Sequence, residues 1–364
     1  MRQLAATINR MPVNTWRRLD VNEAELVMRG PDKKPGAGGA NIQASGQIQI
    51  RQNFEGLDFG EDAAKLFVPA EMGAFIDEHT NRRHFIRIPN DHTEQEPIVL
   101  AMRLNGENQV LVDDVVIEAG EGSNAAVILH YTSENGVPAY HCGRTRLIVH
   151  RNARVKLVKV QMLGSEAAHA DAIGGHVQEG AQLDVIIAEL GAARPLSGCN
   201  LVLDGEGAGA GLDVVYLGDG RRSLDMSYRV EHRGRATVSD ICAKGILLER
   251  SKKVFRDTLD FVRGASGSKG REEESVLMLS PEVRNISVPL LLCGEDDVEG
   301  EHAMTSGRPD ERILFYLMSR GINELAAKKL LAQAAFSSII EKIPDAAVRN
   351  EILGTVHKSI ERGG

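Results

Sequence analysis

From about Ile98 onward the apolar residues fall into short runs rich in β-branched side chains, separated by small polar turns. "QVLVDDVVI" from Gln109, "AAVILHY" from Ala125, "TRLIVH" from Thr145, "VKLVKVQML" from Val155, "LDVIIAEL" from Leu183, "CNLVLDG" from Cys199 and "LDVVYLG" from Leu212 are each strand-length. Several alternate with period two, the signature of extended chain. The turns before them also recur, as "GEGSNAAVIL", "HRNARVKLVKV", "QEGAQLDVII", "GEGAGAGLDVVY" and "HRGRATVSDI", spaced by about 27 to 30 residues. Self-similarity at that period marks a stacked architecture in which one coil cannot bury its inner face without its neighbours. The pattern predicts a mainly β protein built on a parallel β-helix, with a β-sandwich as the fold alternative.

Both ends depart from this pattern. Residues 1–97 hold the single Trp, an exposed turn "GPDKKPGAGG" and a candidate short helix in "EDAAKLFVPAEMGAFIDEHT", and read as a small mixed N-terminal segment. Residues 98–308 form the β-helix core, and residues 309–364 change to helical spacing. In that tail Ile313, Leu314, Leu317 and Met318 are followed by Leu325, Leu330, Leu331, Ala334 and Ile339. Gly321 suits a left-handed helix end, Asn323 suits an N-cap, and Pro344 stops the second helix before a third from about Asp345 to Glu361. The tail is expected to be a compact helical subdomain.

Composition narrows the possible roles. Aromatic residues make up 4% of the chain, whereas Gly numbers 37, which suits many short strands with tight turns. A formal charge of -8 with no basic block argues against a nucleic-acid partner. No apolar run approaches a membrane span and the start "MRQLAATINRMP" is not a signal peptide, so a cytoplasmic location with no membrane contact is expected. Cys142, Cys199, Cys242 and Cys293 form no CxxC pair, and three of them are expected to be buried as small apolar side chains.

The motifs for familiar chemistry are mostly missing. "GEGAGAG" lacks the dinucleotide spacing and "GASGSKG" lacks the phosphate-loop spacing, so the first reads as a Gly-rich turn and the second as an exposed loop. No nucleotide is expected to bind this chain. Neither HExxH nor a nucleophile elbow occurs, and His130, His141 and His150 read as ordinary strand histidines. The densest constellation is "LLLCGEDDVEGEHAMTSG", Leu290 to Gly307, which places Cys293 and His302 around an acidic run. On a strand Glu301 and His302 face opposite sides, and His302 shares its face with Gly300, which leaves the imidazole open. The stretch is either a solvated acidic turn or a site where His302 donates a ring nitrogen to iron or another borderline metal.

Four stretches together resemble the SufB/SufD family of iron–sulfur cluster assembly proteins: "SKKVFRDTLDFVRGA", "ESVLMLSPEV", "EDDVEGEHAMTSG" and "LFYLMSRGINELAAKKLL". The resemblance is strong over residues 230–340 and weak over residues 1–97. It implies a right-handed parallel β-helix, a C-terminal helical subdomain that docks a SufC-type ABC ATPase, and pairing with a second SufB/D chain as a homodimer or heterodimer. It further implies a non-catalytic scaffold that holds a transient iron–sulfur cluster, or none, at the paired interface, with sulfide from a cysteine desulfurase system. His302 falls on the family histidine and Glu301 on the acid before it. Cys293 aligns with neither family cysteine and is carried as a secondary metal candidate. Counting back from His302 without gaps, Val283 stands at the SufB-type interface cysteine and Gly300 at the cysteine that often precedes the histidine in SufD-type proteins. The chain is therefore SufD-like, or a minimal single-paralogue form. Phe315, Tyr316, Arg320, Gly321 and Leu330 are the candidate ATPase contacts. Two alternatives stand beside this reading: a structural dimer that activates the ATPase without touching iron, and a carbohydrate-active β-helix enzyme, which the scarcity of aromatics disfavours.

Overall fold

The structure, a computed structural model, describes residues 3–15, 19–29, 40–53 and 69–363. Trp16, the turn at 30–39 and residues 61–68 of the candidate helical stretch lie outside the described residues. Strands account for 51% of the chain and helices for 17%, and the centre is a β-solenoid of about eight turns.

The strands alternate between two nine-stranded sheets. One contains β3 (Ala40–Gln43), β6 (Ile98–Leu104), β8 (Asn124–Ser133), β10 (Arg154–Met162), β12 (Gln182–Glu189), β14 (Gly209–Gly218), β16 (Val238–Leu247), β18 (Ser268–Met278) and β20 (Val298–Gly307). The other contains β4 (Gln49–Gln52), β5 (Arg82–Ile88), β7 (Val110–Ala119), β9 (Tyr140–Val149), β11 (Ala168–Val177), β13 (Arg194–Leu203), β15 (Ser223–His232), β17 (Lys252–Phe261) and β19 (Arg284–Cys293). From β5 onward each strand pairs in parallel with the strand two places along, which rules out the antiparallel sandwich. The parallel ladder thus begins at Arg82, before the boundary at 98 read from the sequence. Its strand "RRHFIRI" carries three charges that hid the alternation of buried residues.

The turn motifs become one corner of the coil. Gly122, Asn152, Gly180, Gly207, Ala236 and Gly267 all adopt positive φ and form a column. Each donates its N–H to a carbonyl in the next coil, as from Gly180 to Glu206 and from Gly207 to Arg235. A left-handed residue at each coil lets the chain turn sharply while its backbone groups stay paired. "GASGSKG" belongs to this column: Ala265 and Ser268 are fully buried, and β18 starts at Ser268, so the stretch is a packed corner and not an exposed loop.

Between the sheets lies a continuous apolar lumen with Leu129, Leu157, Leu183, Leu212 and Leu259 among its members. Each outer face is covered as well. Against the sheet of β7 to β13 pack a hairpin of β1 (Gln3–Ile8) and β2 (Ala24–Arg29) and helix α1 (Ala70–His79), burying Ile8, Leu26 and Phe75 against Val112, Cys142 and Ala172. Against the opposite sheet pack α3 (Glu324–Ile340) and α4 (Ala346–Gly363), whose Phe336, Ile339, Ile352 and Val356 meet Val158, Ile186 and Val215. Double coverage explains why strands such as β7 are buried along nearly their whole length. The helical tail shares its core with the solenoid, so it is not a self-contained bundle, and α2 (Glu311–Ser319) buries no residue at all. Gly321 ends α2 with φ 87°, and the Asn323 side chain accepts the Ala326 N–H at the start of α3, as their residue types predicted.

The lumen also contains polar side chains. His141 lies 2.8 Å from Asp113 through Nε2 and 2.7 Å from His169 through Nδ1, while the Lys159 ammonium donates to Asp171 at 2.6 Å. Each is buried and paired, as the low local dielectric requires. Gly143 makes room for them, since a Cβ there would lie 2.2 Å from the Asp113 carboxylate. Of the cysteines, Cys142 and Cys199 are buried, Cys242 is half-buried and Cys293 is exposed, so two are enclosed where three were expected. Cys242 lies on the outer face at the margin of the helices, where α3 and α4 give incomplete cover.

Candidate functional site

The two ends of the solenoid differ. At the N-terminal end β3 and β4 close the sheets by antiparallel pairing with β6 and β5. At the other end β19 and β20 are the terminal strands, and most of their residues are exposed or half-buried. A terminal rung with one unpaired edge per sheet is a template for pairing with another chain.

His302 occupies this rung. It is exposed on β20 and stands in register beside Glu272 of β18, in the column whose side chains face the lumen. Glu301 stands beside Arg271, which faces outward and is paired with Asp240 at 3.1 Å, so Glu301 and His302 project to opposite sides. Cys293 ends β19, separated from His302 by a corner and the first residues of β20. Among the described residues no group of three or more His, Cys, Asp and Glu side chains is drawn together as a metal site, so Cys293, Glu301 and His302 are not assembled by one chain. Gly300 is tightly placed: a Cβ there would lie 2.7 Å from Leu291, so a cysteine at this position would displace that leucine.

Much of the acidic run has local partners. Glu295 accepts the Gly264 N–H at 2.9 Å, Asp297 accepts the Ser266 hydroxyl at 2.7 Å, and Glu299 pairs with Lys269 at 2.8 Å. Backbone donors hold the Glu295 carboxyl below its usual range. These acids fasten the last corner to the coil beneath it, which accounts for their density without a ligand.

Beneath His302 the lumen is unexpectedly polar. Glu274 of β18 accepts from Tyr216 at 2.7 Å, from Lys253 at 2.5 Å and from Ser287. Burial pulls Lys253 below its ordinary value and the Glu274 charge opposes it. Asp257 and Glu272 share this region, are fully buried, and have no hydrogen-bonded partner. Burial, with the Glu274 charge adding to it, pushes Asp257 up to about 8. Burial and the Asp257 charge push Glu272 up to about 9. Neither residue was recognised from the sequence, because "GASGSKGREEES" resembles a solvated loop. The available signal was the spacing Gly270, Glu272, Glu274, Val276, which puts two acids on the inner face of a strand.

The candidate partner-binding residues cluster on the helical tail. Phe315 is 74% exposed and Tyr316 is 57% exposed, and Ile313, Met318, Leu325 and Leu330 are each between 37% and 47% exposed. The Arg320 guanidinium sits 5.3 Å from the centre of the Tyr316 ring, and Gly321 turns the chain into α3. Two aromatics and four aliphatics exposed together form an apolar surface of a kind that soluble proteins seldom leave uncovered.

These features define a class: a parallel β-solenoid with both flanks covered, one open end and a helix with exposed apolar residues next in the chain. Within that class the chain belongs to the SufBD family of the SUF iron–sulfur cluster system. The signature of the SUF system FeS cluster assembly SufBD core domain matches residues 102–335. The iron–sulfur cluster assembly SufBD family protein of Staphylococcus aureus strain USA300 is 27% identical over 266 residues, which cover 71% of this chain and 56% of that protein. A protein of the same description from Staphylococcus saprophyticus matches at 27% identity over the same shares. The chain thus spans a little over half the length of these curated relatives.

Proposed function

We propose that this chain is a scaffold subunit of a SUF-type iron–sulfur cluster assembly complex. It pairs through its terminal rung with a second SufB/D chain and carries a SufC-type ABC ATPase on its C-terminal helices. The observation that carries this reading is the open rung bearing His302, followed in the chain by the uncovered Phe315 and Tyr316 of α2. The cluster is cargo, to which His302 contributes one imidazole while the second chain supplies the remaining ligands. Glu301 faces outward, on the side opposite to His302. The chain itself binds no nucleotide and catalyses no step; hydrolysis belongs to the ATPase. It works in the cytoplasm, and among the described residues no helix is long and apolar enough to cross a membrane.

The packing offers a route for mechanical coupling. Movement of the ATPases would act on α2, which is exposed, and then on α3 and α4, which are rooted in the sheet. Lys342 before α4 pairs with Asp213 at 2.7 Å, and Ser359 donates to Asp219 at 2.6 Å, so a pull on the helices reaches β14 and its following turn. The sheet leads from β14 through β16 and β18 to β20 and His302. A displacement there opens or closes the paired rungs around the cargo.

The test is capture of a co-expressed ABC ATPase by the tagged full chain. Phe315→Ala with Tyr316→Ala should abolish capture, as should removal of residues 310–364. Retention of the ATPase by both variants would refute the docking assignment.

A further inference from the structure

Asp257 and Glu272 present an unusual problem: two fully buried carboxylates whose four oxygens all lack a hydrogen-bond donor. The backbone amides of Asp257 and Leu259 favour the charged forms a little without reaching hydrogen-bond geometry. Leaving buried acceptors unpaired is costly, and leaving buried charges unpaired is more so. Native interiors rarely carry such groups without a ligand, an ion or a function.

Their surroundings are asymmetric. In the coil below, Asp257 is in register with Tyr228, whose hydroxyl is engaged by Ser197 at 3.1 Å, and Glu272 with Ile241. That side is closed and offers no free donor from these neighbours. In the coil above, Asp257 is in register with Pro289, which has no N–H, and Glu272 with His302. The approach from solvent therefore passes His302 at the exposed rung. Lys253 is the cation on the same inner face, and it is engaged by Glu274 and Ser287. Arg256 and Arg271, the adjacent cations in sequence, are paired with Asp225 and Asp240. Burial favours the protonated forms of Asp257 and Glu272 when no cation is present. An entering cation would displace those two protons, and the resulting Asp257, Glu272 and Glu274 carboxylates against Lys253 leave two negative charges, the charge of one divalent cation.

We propose that Asp257 and Glu272 form a divalent-cation site inside the open end of the solenoid, one coil below His302 and reached past it. Carboxylate oxygens suit a hard or borderline ion such as ferrous iron or manganese, with water filling the positions that no third side chain supplies. The inference deepens the scaffold reading, because it gives iron a holding position next to the exposed imidazole. It needs neither the ATPase nor the second chain.

The test is titration of the purified full chain with manganese(II) chloride at pH 8, counting free ion by its electron paramagnetic resonance signal. Wild type is expected to bind one ion per chain, and Asp257→Asn with Glu272→Gln to weaken binding at least tenfold. The wild-type melting temperature should also rise with manganese, a readout that needs no variant to fold. No ion bound by wild type, unchanged affinity in the double variant, or no manganese-dependent rise would each overturn the site. Failed ATPase capture with manganese binding intact would refute the scaffold reading alone, and the reverse pattern would refute this site alone.

Discussion

Phe336 joins the helical tail to the solenoid, and its replacement by alanine tests whether that joint is what positions the docking face. The ring is fully buried on α3, in one cluster with Val158, Ile186 and Val215 from the sheet and Ile352 and Val356 from α4. Alanine keeps the helix propensity, so the loss is one of packing. Phe→Ala in a closed core costs about 3–5 kcal/mol, from lost transfer energy and the cavity left behind. At about 1.4 kcal/mol per decade this lowers the opening free energy of α3 and α4 by roughly two to three and a half decades in protection. Hydrogen exchange read by mass spectrometry on the full chain would report it. Peptides from α3 and α4 should lose that protection, whereas peptides from β9 and β11 in the opposite sheet, whose Leu147, Val149, Ile173 and Val177 belong to the lumen cluster, should change little. A loss under threefold in the helices, or an equal loss in the lumen strands, would refute the reasoning.

His232 supplies a pH test. Burial lowers its pKa to about 4, and its neutral ring sits between the Thr237 and Ser239 hydroxyls at 2.7 Å and 2.8 Å. The unfolded histidine gains its proton near pH 6.5 while the folded one does not, so its stabilising contribution is present above pH 6.5 and lost as pH falls toward 4. The difference amounts to about 3 kcal/mol. Urea unfolding at neutral pH and near pH 4.5 should show a steeper decline in wild type than in His232→Asn, and equal declines would contradict the assignment. Two glycines make a contrasting pair. Gly354 lies within α4 with nothing near its missing Cβ, and Gly354→Ala should stabilise by about 0.5–1 kcal/mol, seen as a raised melting temperature. At Gly245 a Cβ would lie 2.1 Å from the Tyr216 ring, so Gly245→Ala should lower the yield of folded protein, and a raised melting temperature there would contradict the packing.

The β-branched runs and the recurring turns exposed the solenoid in the sequence because each coil repeats the same physical demand: an inward apolar face and a left-handed corner. The corners at Gly122, Asn152, Gly180 and Gly207 fall within the recurring turn stretches. Strands were harder to see where inward positions are polar or small, as in "AHADAIGGHV" of β11, because His169 and Asp171 find their partners in other coils. The helices of the tail were legible from their caps and spacing, but their seat on the sheet was not, since a helical period does not name the surface it meets. At the site, alternation alone separated Glu301 from His302. Glu272 escaped notice because its burial depends on a corner that reads as a loop, and its relation to His302 depends on the register of β18 and β20.

The central claim, that the open rung around His302 receives cluster iron, is tested most directly by anaerobic reconstitution. The chain co-expressed with the proposed second SufB/D chain and ABC ATPase would be loaded with ferrous iron and sulfide, desalted and assayed for bound iron and for cluster absorbance. The wild-type complex should retain both, and His302→Ala should lose most of the retained iron while the complex stays assembled. Equal iron and equal absorbance in the two complexes would contradict the account and leave the chain as a structural partner of the ATPase.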